Sequence, residues 1–148
     1  NIGNKTINLN EERDYIGTLG ELGVLEYLKE IGYQENIDFI YNPVTPQQYG
    51  DSYDFKLVQT NQSIDVYSSR KMYDLLVPKH KIRKGLKDIY IRTKIEDTEI
   101  ILVGYADRKQ IEAAEYQAIK ISTKFIPKKE LRDIDILFPP KKEQQKLF

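Results

Sequence analysis

Ile100-Ile101-Leu102-Val103-Gly104-Tyr105 is a run of six residues without a single charge. A continuous apolar run of this kind reads as a strand buried on both faces, so other layers must cover the sheet on either side. It is the expected central strand. Ile89 to Thr93 is a second strong strand, and Tyr53 to Val58 and Ser63 to Ser68 alternate in polarity across the polar turn 59–62, the pattern of a hairpin.

Helical signals surround these strands. Asn10 can cap a helix over about residues 11–31, with Glu11 and Glu12 suiting its positive end and Gly32 offering the stop. On it Gly17, Glu21, Val24, Leu28 and Ile31 form one stripe, which puts Glu21 on the face that meets the core. Gly17, Gly20 and Gly23 recur every three residues and would let a neighbouring element approach closely. Asp38 to Tyr41 reads as a short strand and 42–51 as a loop. Pro78 can open a basic helix over 78–84 that Gly85 ends, and Asp107 with Gln110 resembles a capping box opening a helix that reaches Tyr116. Phe125 to Pro127 reads as extended, Lys128 to Ile134 as a short helix, and 139–148 as a charged, fraying tail. The expected fold is α/β: one domain spanning 1–148, its core at about 11–138, with a mixed central sheet flanked by helices.

Composition narrows the chemistry. The 148 residues contain no cysteine and one histidine, His80, which excludes disulfides and thiolate metal sites and argues against a histidine-rich zinc site or a conventional Ser-His-Asp triad. No apolar run approaches the roughly 18 residues of a membrane span, so no membrane partner and a cytoplasmic setting are expected. The 23 basic and 23 acidic side chains cancel overall but are unevenly placed. Residues 1–54 carry net −7, whereas residues 70–87 carry seven basic side chains against Asp74 alone. That basic segment is a candidate anion-binding stripe, or a solvated surface balanced in space by the acidic front.

Three carboxylates sit where a charge is expensive unless it is paired or functional. They are Glu21 on the core face of the helix, Asp54 at the start of one hairpin strand, and Asp65 between Ile64 and Val66 in the other. Neighbouring strands could bring Asp54 and Asp65 within reach of one metal ion, with Glu21 arriving from the helix above. Mg²⁺ or Mn²⁺ uses such oxygen ligands, completed by water and substrate phosphate. Phosphodiester hydrolysis is the reaction this set suits.

At these residues the chain resembles the PD-(D/E)XK nuclease superfamily, whose fold is restriction-endonuclease-like. Gly20-Glu21-Leu22-Gly23 is similar to its helical acidic position, Tyr53-Asp54-Phe55-Lys56 to its first motif strand, and Ile64-Asp65-Val66-Tyr67-Ser68-Ser69-Arg70 to its second. Leu76-Val77-Pro78, Asp88 to Ile91 and Val103 to Ala106 are similar to its downstream strands. The likeness spans residues 11–131. It implies that Asp54 and Asp65 bind Mg²⁺, that the Val66 carbonyl completes the metal shell, that Glu21 assists directly or through water, and that DNA is the partner, with a homodimer one expected form. Ser69, Arg70, Lys71, Lys79, Lys81 and Arg83 would then contact the backbone of the substrate.

One position departs from the pattern. Tyr67 stands where a lysine normally follows the second acid by two residues, and a neutral phenol cannot supply that positive charge. A lysine from elsewhere could replace it: Lys56, which shares a strand face with Asp54, is the first choice, with Arg70 and Lys71 behind it. Alternatively the metal alone activates water while Tyr67 positions it. The third alternative is an inactive module of the same fold that binds DNA or a protein partner. A small-molecule enzyme has no phosphate loop, dinucleotide fingerprint or nucleophile motif behind it.

Overall fold

The computed structural model describes residues 9–43, 52–118 and 121–141, with side chains of the first helix from Tyr15 onward. The expected loop 42–51 and the tail beyond 141 therefore lie largely outside the described residues.

Helix α1 (Leu9–Glu30) begins before Asn10, which is thus inside the helix rather than its cap. Its other end is the one Gly32 dictates. Gly32 adopts φ 97°, its amide bonds to the Lys29 carbonyl at 3.1 Å, and the Tyr33 amide reaches back to Leu28 at 2.9 Å. This is a Schellman closure, which needs a residue without Cβ strain at that point.

Five strands form one mixed sheet in the order β1 (Phe39–Tyr41), β2 (Phe55–Leu57), β3 (Ser63–Ser69), β5 (Ile89–Ile95), β6 (Ile100–Asp107). β1, β2 and β3 are antiparallel neighbours, β3 and β5 run parallel, and β5 and β6 are antiparallel. The parallel pair requires a crossover, supplied by β4 (Leu75–Pro78) and α2 (Lys79–Lys84). Pro78 precedes α2 and Gly85 ends it at φ 137°, as expected from sequence.

The central strand differs from expectation. Every residue of β5 is buried, whereas β6 lies at the sheet edge with Ile100 to Val103 only partly covered. Arg92 and Lys94 make β5 read as less apolar than β6. Both are nevertheless enclosed, because Arg92 Nε donates to the Asp74 carbonyl at 2.8 Å and Lys94 pairs with Glu96 at 3.2 Å.

A second sheet was not expected at all. β4, β8 (Ser122–Ile126) and β7 (Tyr116–Ala118) form an antiparallel three-stranded layer in the order β4-β8-β7. Tyr116 therefore lies in a strand, and helix α3 (Arg108–Ala113) ends before it, though the Asp107–Gln110 capping box is present in full. The stretch expected as one helix over 128–134 is a 3₁₀ turn at Lys128–Glu130, a bridge from Arg132 to Tyr105, and then α4 (Ile134–Leu137), capped by Asp133. Nor does the chain fray at Pro139. Tyr33 donates its hydroxyl to the Pro139 carbonyl, the Lys141 amide bonds to Ile31, and the Lys141 ammonium pairs with Asp38.

Two apolar clusters follow from this layering. One face of the large sheet packs Ile64, Val66, Ile89 and Ile91 against Val24, Leu25 and Leu28 of α1 and against Ile134 and Phe138. The other packs Tyr90 and Ala106 against Leu75, Val77 and Ile126 of the small sheet and Ile111 of α3. Since side chains alternate along a strand, Asp65 and Tyr67 belong to this second face. Among the described residues no helix is long and apolar enough to cross a membrane.

Close helix–sheet contact rests on Gly20 and Gly23, not on Gly17. A Cβ on Gly20 would run into Ser68 Oγ and stand 2.6 Å from Thr93 Oγ1, and one on Gly23 would stand 2.6 Å from Ile100, whereas one on Gly17 meets nothing within 4 Å. Gly20→Ala is expected to destabilise the fold by about 2 kcal/mol through overpacking. Gly17→Ala is expected to stabilise it by about 0.5–1 kcal/mol through helix propensity alone. Urea unfolding of the two variants checks both signs, and equal effects would refute this account of the packing.

Candidate active site

β2 and β3 pair through Phe55–Ile64 and Lys56–Ser63, and beyond that point Asp54 takes over. Its amide donates to the Ile64 carbonyl at 3.0 Å, and its carboxylate Oδ2 accepts from the Val66 amide at 2.7 Å. Asp54 therefore grips β3 on both sides of Asp65, which fixes the two acids beside each other. Val66 itself contributes its side chain to the apolar core below.

Glu21 approaches from α1 and is only 8% exposed. Tyr41 of β1 donates its hydroxyl to Glu21 Oε1 at 3.3 Å, and the Tyr41 ring is stacked on Phe55 at 4.8 Å. By sequence, Arg13 or Lys29 could have paired with Glu21. Lys29 instead lies 4.0 Å from Glu35, and the Arg13 side chain lies outside the described residues.

The three acids share one electrostatic environment. Burial pushes the Glu21 carboxyl up to about 7, the Tyr41 hydrogen bond opposes this, and the charge of Asp65 adds to it. Asp54 rises to about 8, first by burial and then by the charges of Glu21 and Asp65, with the Val66 amide and Lys81 pulling the other way. Asp65 is also raised by burial, against the charges of Lys87 and Lys81. Mutual repulsion among desolvated carboxylates is the condition that a bound cation relieves. Among the described residues no three His, Cys, Asp or Glu side chains stand close enough to form a metal site on their own. The donor set on offer is a carboxylate pair with Glu21 nearby, which matches how Mg²⁺ is held together with water and phosphate rather than a complete protein cage.

Tyr67 lies on the same face as Asp65 but is turned into the second core, its ring 6.0 Å from Tyr90. Burial drives its phenol far above the ordinary tyrosine range, and Asp65 drives it further. Opposite it in β5 is Arg92, 3% exposed, whose guanidinium is lowered to about 10 by burial. The positive charges that bear on the acids come from Lys81 of α2 and from Lys87. Lys56, the first choice from sequence, lies over the Tyr53 ring at 5.2 Å.

The remaining sequence candidates divide. Ser69 Oγ accepts from the amides of Lys71 and Met72, turning the chain out of β3. Ser68 Oγ shares a 2.6 Å hydrogen bond with Thr93 beneath Gly20. Arg70, Lys71, His80, Lys81 and Arg83 lie on the outside of the fold, and Lys79 lies 5.5 Å over the Tyr116 ring. Tyr41, Lys87 and Arg92 were missed as site residues. A charge within Ile-Tyr-Ile-Arg-Thr was the available signal for Arg92, whereas Lys87 was counted only as part of a basic segment. Compared with protein-family models, curated proteins and solved structures, the chain matches none.

Proposed function

We propose that this chain is a metal-dependent nuclease domain of restriction-endonuclease-like fold that hydrolyses DNA phosphodiester bonds. The observation that carries the proposal is the grip of Asp54 on β3 around Asp65, with Glu21 close enough that the charge of Asp65 raises both Glu21 and Asp54 and the charge of Glu21 raises Asp54 further. Asp54 and Asp65 would hold Mg²⁺ or Mn²⁺, which when bound supplies the charge that activates water and stabilises the transition state. Tyr41 holds Glu21 in place, and Lys81 faces the carboxylates with a positive charge from the basic side of the site. The order of helix, three antiparallel strands, crossover and parallel strand supports the fold assignment.

The test is cleavage of plasmid, single-stranded and branched DNA with Mg²⁺ or Mn²⁺, beside Asp65→Ala. Metal-dependent nicking abolished by that substitution is the expected result, and nicking that survives it would refute the assignment. The packing of Tyr67 against Tyr90 favours a second reading, an inactive module of the same fold that binds DNA. Activity that arises only in Tyr67→Lys would select this one.

Phosphate contacts from the basic segment are expected to dominate affinity. Replacing Lys81 or Arg83 by Gln is therefore expected to weaken DNA binding on all sequences alike and to lower the slope of log K against log salt by about 1 per substitution. Fluorescence anisotropy at several salt concentrations reads this directly. An unchanged slope would remove both residues from the interface.

A further inference from the structure

Beside the carboxylates lies a cavity of roughly 270 Å³ whose lining includes Tyr53, Lys56, Asn61, Ser63, Gly85 and Lys87. Its lining holds two lysines, one from β2 and one from the segment leading into β5, and no acid. Lys87 is only 7% exposed, and its Nζ donates to a single carbonyl, Gly85 at 3.3 Å. Among the described residues neither Lys56 nor Lys87 forms a direct ion pair.

The nearest acid in sequence, Asp88, is committed to Ser63 behind the recess wall. Its Oδ2 accepts from the Ser63 amide at 2.9 Å and the Ser63 hydroxyl at 3.2 Å. The Lys56 ammonium is steered by the Tyr53 ring, and the Lys87 amide is anchored on the Tyr90 hydroxyl at 2.8 Å. Two ammonium groups line one recess and repel each other, and the more buried of them has only the more distant charge of Asp65 to offset its own. A compact anion with several acceptor oxygens relieves both costs, and phosphate is the group lysine meets as a point charge.

We propose that the recess between Lys56 and Lys87 is a phosphate subsite, which takes a phosphate of the substrate backbone other than the one addressed by Asp54 and Asp65. Its position supports this. Tyr53 and Lys56 flank Asp54 and its strand neighbour in β2, and Tyr90, which anchors Lys87, is the direct partner of Asp65 in the β3–β5 ladder. The identity of the phosphate rests on the nuclease proposal; its binding does not. The role makes Lys56 a residue of substrate placement instead of the source of the charge missing at Tyr67.

The experiment is a ¹H–¹⁵N titration of the whole chain with inorganic phosphate in EDTA, with Lys56→Gln, Lys87→Met and Asp65→Asn alongside. Saturable shifts at Ser63, Gly85 and Lys87 are expected. Lys56→Gln and Lys87→Met should each weaken them about tenfold or more, and Asp65→Asn should leave them in place. Lys56 is more open to solvent, so Lys56→Gln stays decisive even if Lys87→Met fails to fold. Shifts absent from these residues, or unaffected by Lys56→Gln, overturn the subsite. Phosphate binding without DNA cleavage by the unaltered chain would overturn the nuclease proposal alone.

Discussion

Asp54→Asn is expected to lower metal-dependent nicking on the order of 100-fold or more while making the protein more stable at alkaline pH in EDTA. The two effects have one origin. Asp54 is a half-buried carboxylate raised to about 8 by desolvation and by Glu21 and Asp65, so the fold tolerates its neutral form better than its charged one. Asparagine keeps an oxygen that can accept from the Val66 amide, and so preserves the grip on β3. It removes the charge that a cation needs. Single-turnover nicking and thermal melts at pH 8.5 measure the pair of outcomes, and a variant that keeps its activity and loses stability would show that Asp54 is only a structural hydrogen-bond acceptor.

The second large effect is a dependence of stability on pH that metal reverses. Glu21 and Asp54 have folded values of about 7 and about 8, above their ordinary 4.5 and 3.8. In the window between those limits the folded chain binds more protons than the unfolded one, so stability is complete below about pH 4 and falls as pH rises towards 8. The two groups interact, so their shifts do not add, and a loss on the order of several kcal/mol is expected across the window. Mg²⁺ favours the ionised carboxylates and should recover stability most where most was lost, by about 2.7 kcal/mol at a hundredfold excess over Kd. Urea unfolding at pH 5.5, 7 and 8.5, with EDTA or with Mg²⁺, gives the answer. A flat pH profile, or equal stabilisation by Mg²⁺ at all three values, would dissociate the acids from a metal site.

The parts of the site that were legible in the sequence are those whose cost is local. A carboxylate between Ile64 and Val66 is conspicuous in any strand, and Glu21 falls on the buried stripe of α1 by helical period alone. Glu21 is buried and Asp65 half-buried, and Asp54, also half-buried, stands immediately before β2. The cations were not legible in the same way. Lys56 lies on the face its alternation predicts, yet its ammonium is over Tyr53, and the charges that reach Asp65 come from Lys87 and Lys81, both distant in sequence. Alternation tells which face a side chain takes. It does not tell where the end of a flexible lysine comes to rest.

The same division runs through the whole fold. Gly32 ending α1, Pro78 and Gly85 bracketing α2, and Asp107 with Gln110 opening α3 all depend on contacts within a few residues, so sequence alone determined them. Only the tertiary structure decided that β5 and not β6 lies inside the sheet, that Leu75–Pro78 pairs with Ser122–Ile126, and that the Tyr67 ring packs against Tyr90. Those outcomes turn on which distant strands pair and which layer covers them. Their energy resides in burial and in hydrogen bonds between segments far apart in the chain, and a local pattern does not carry that information.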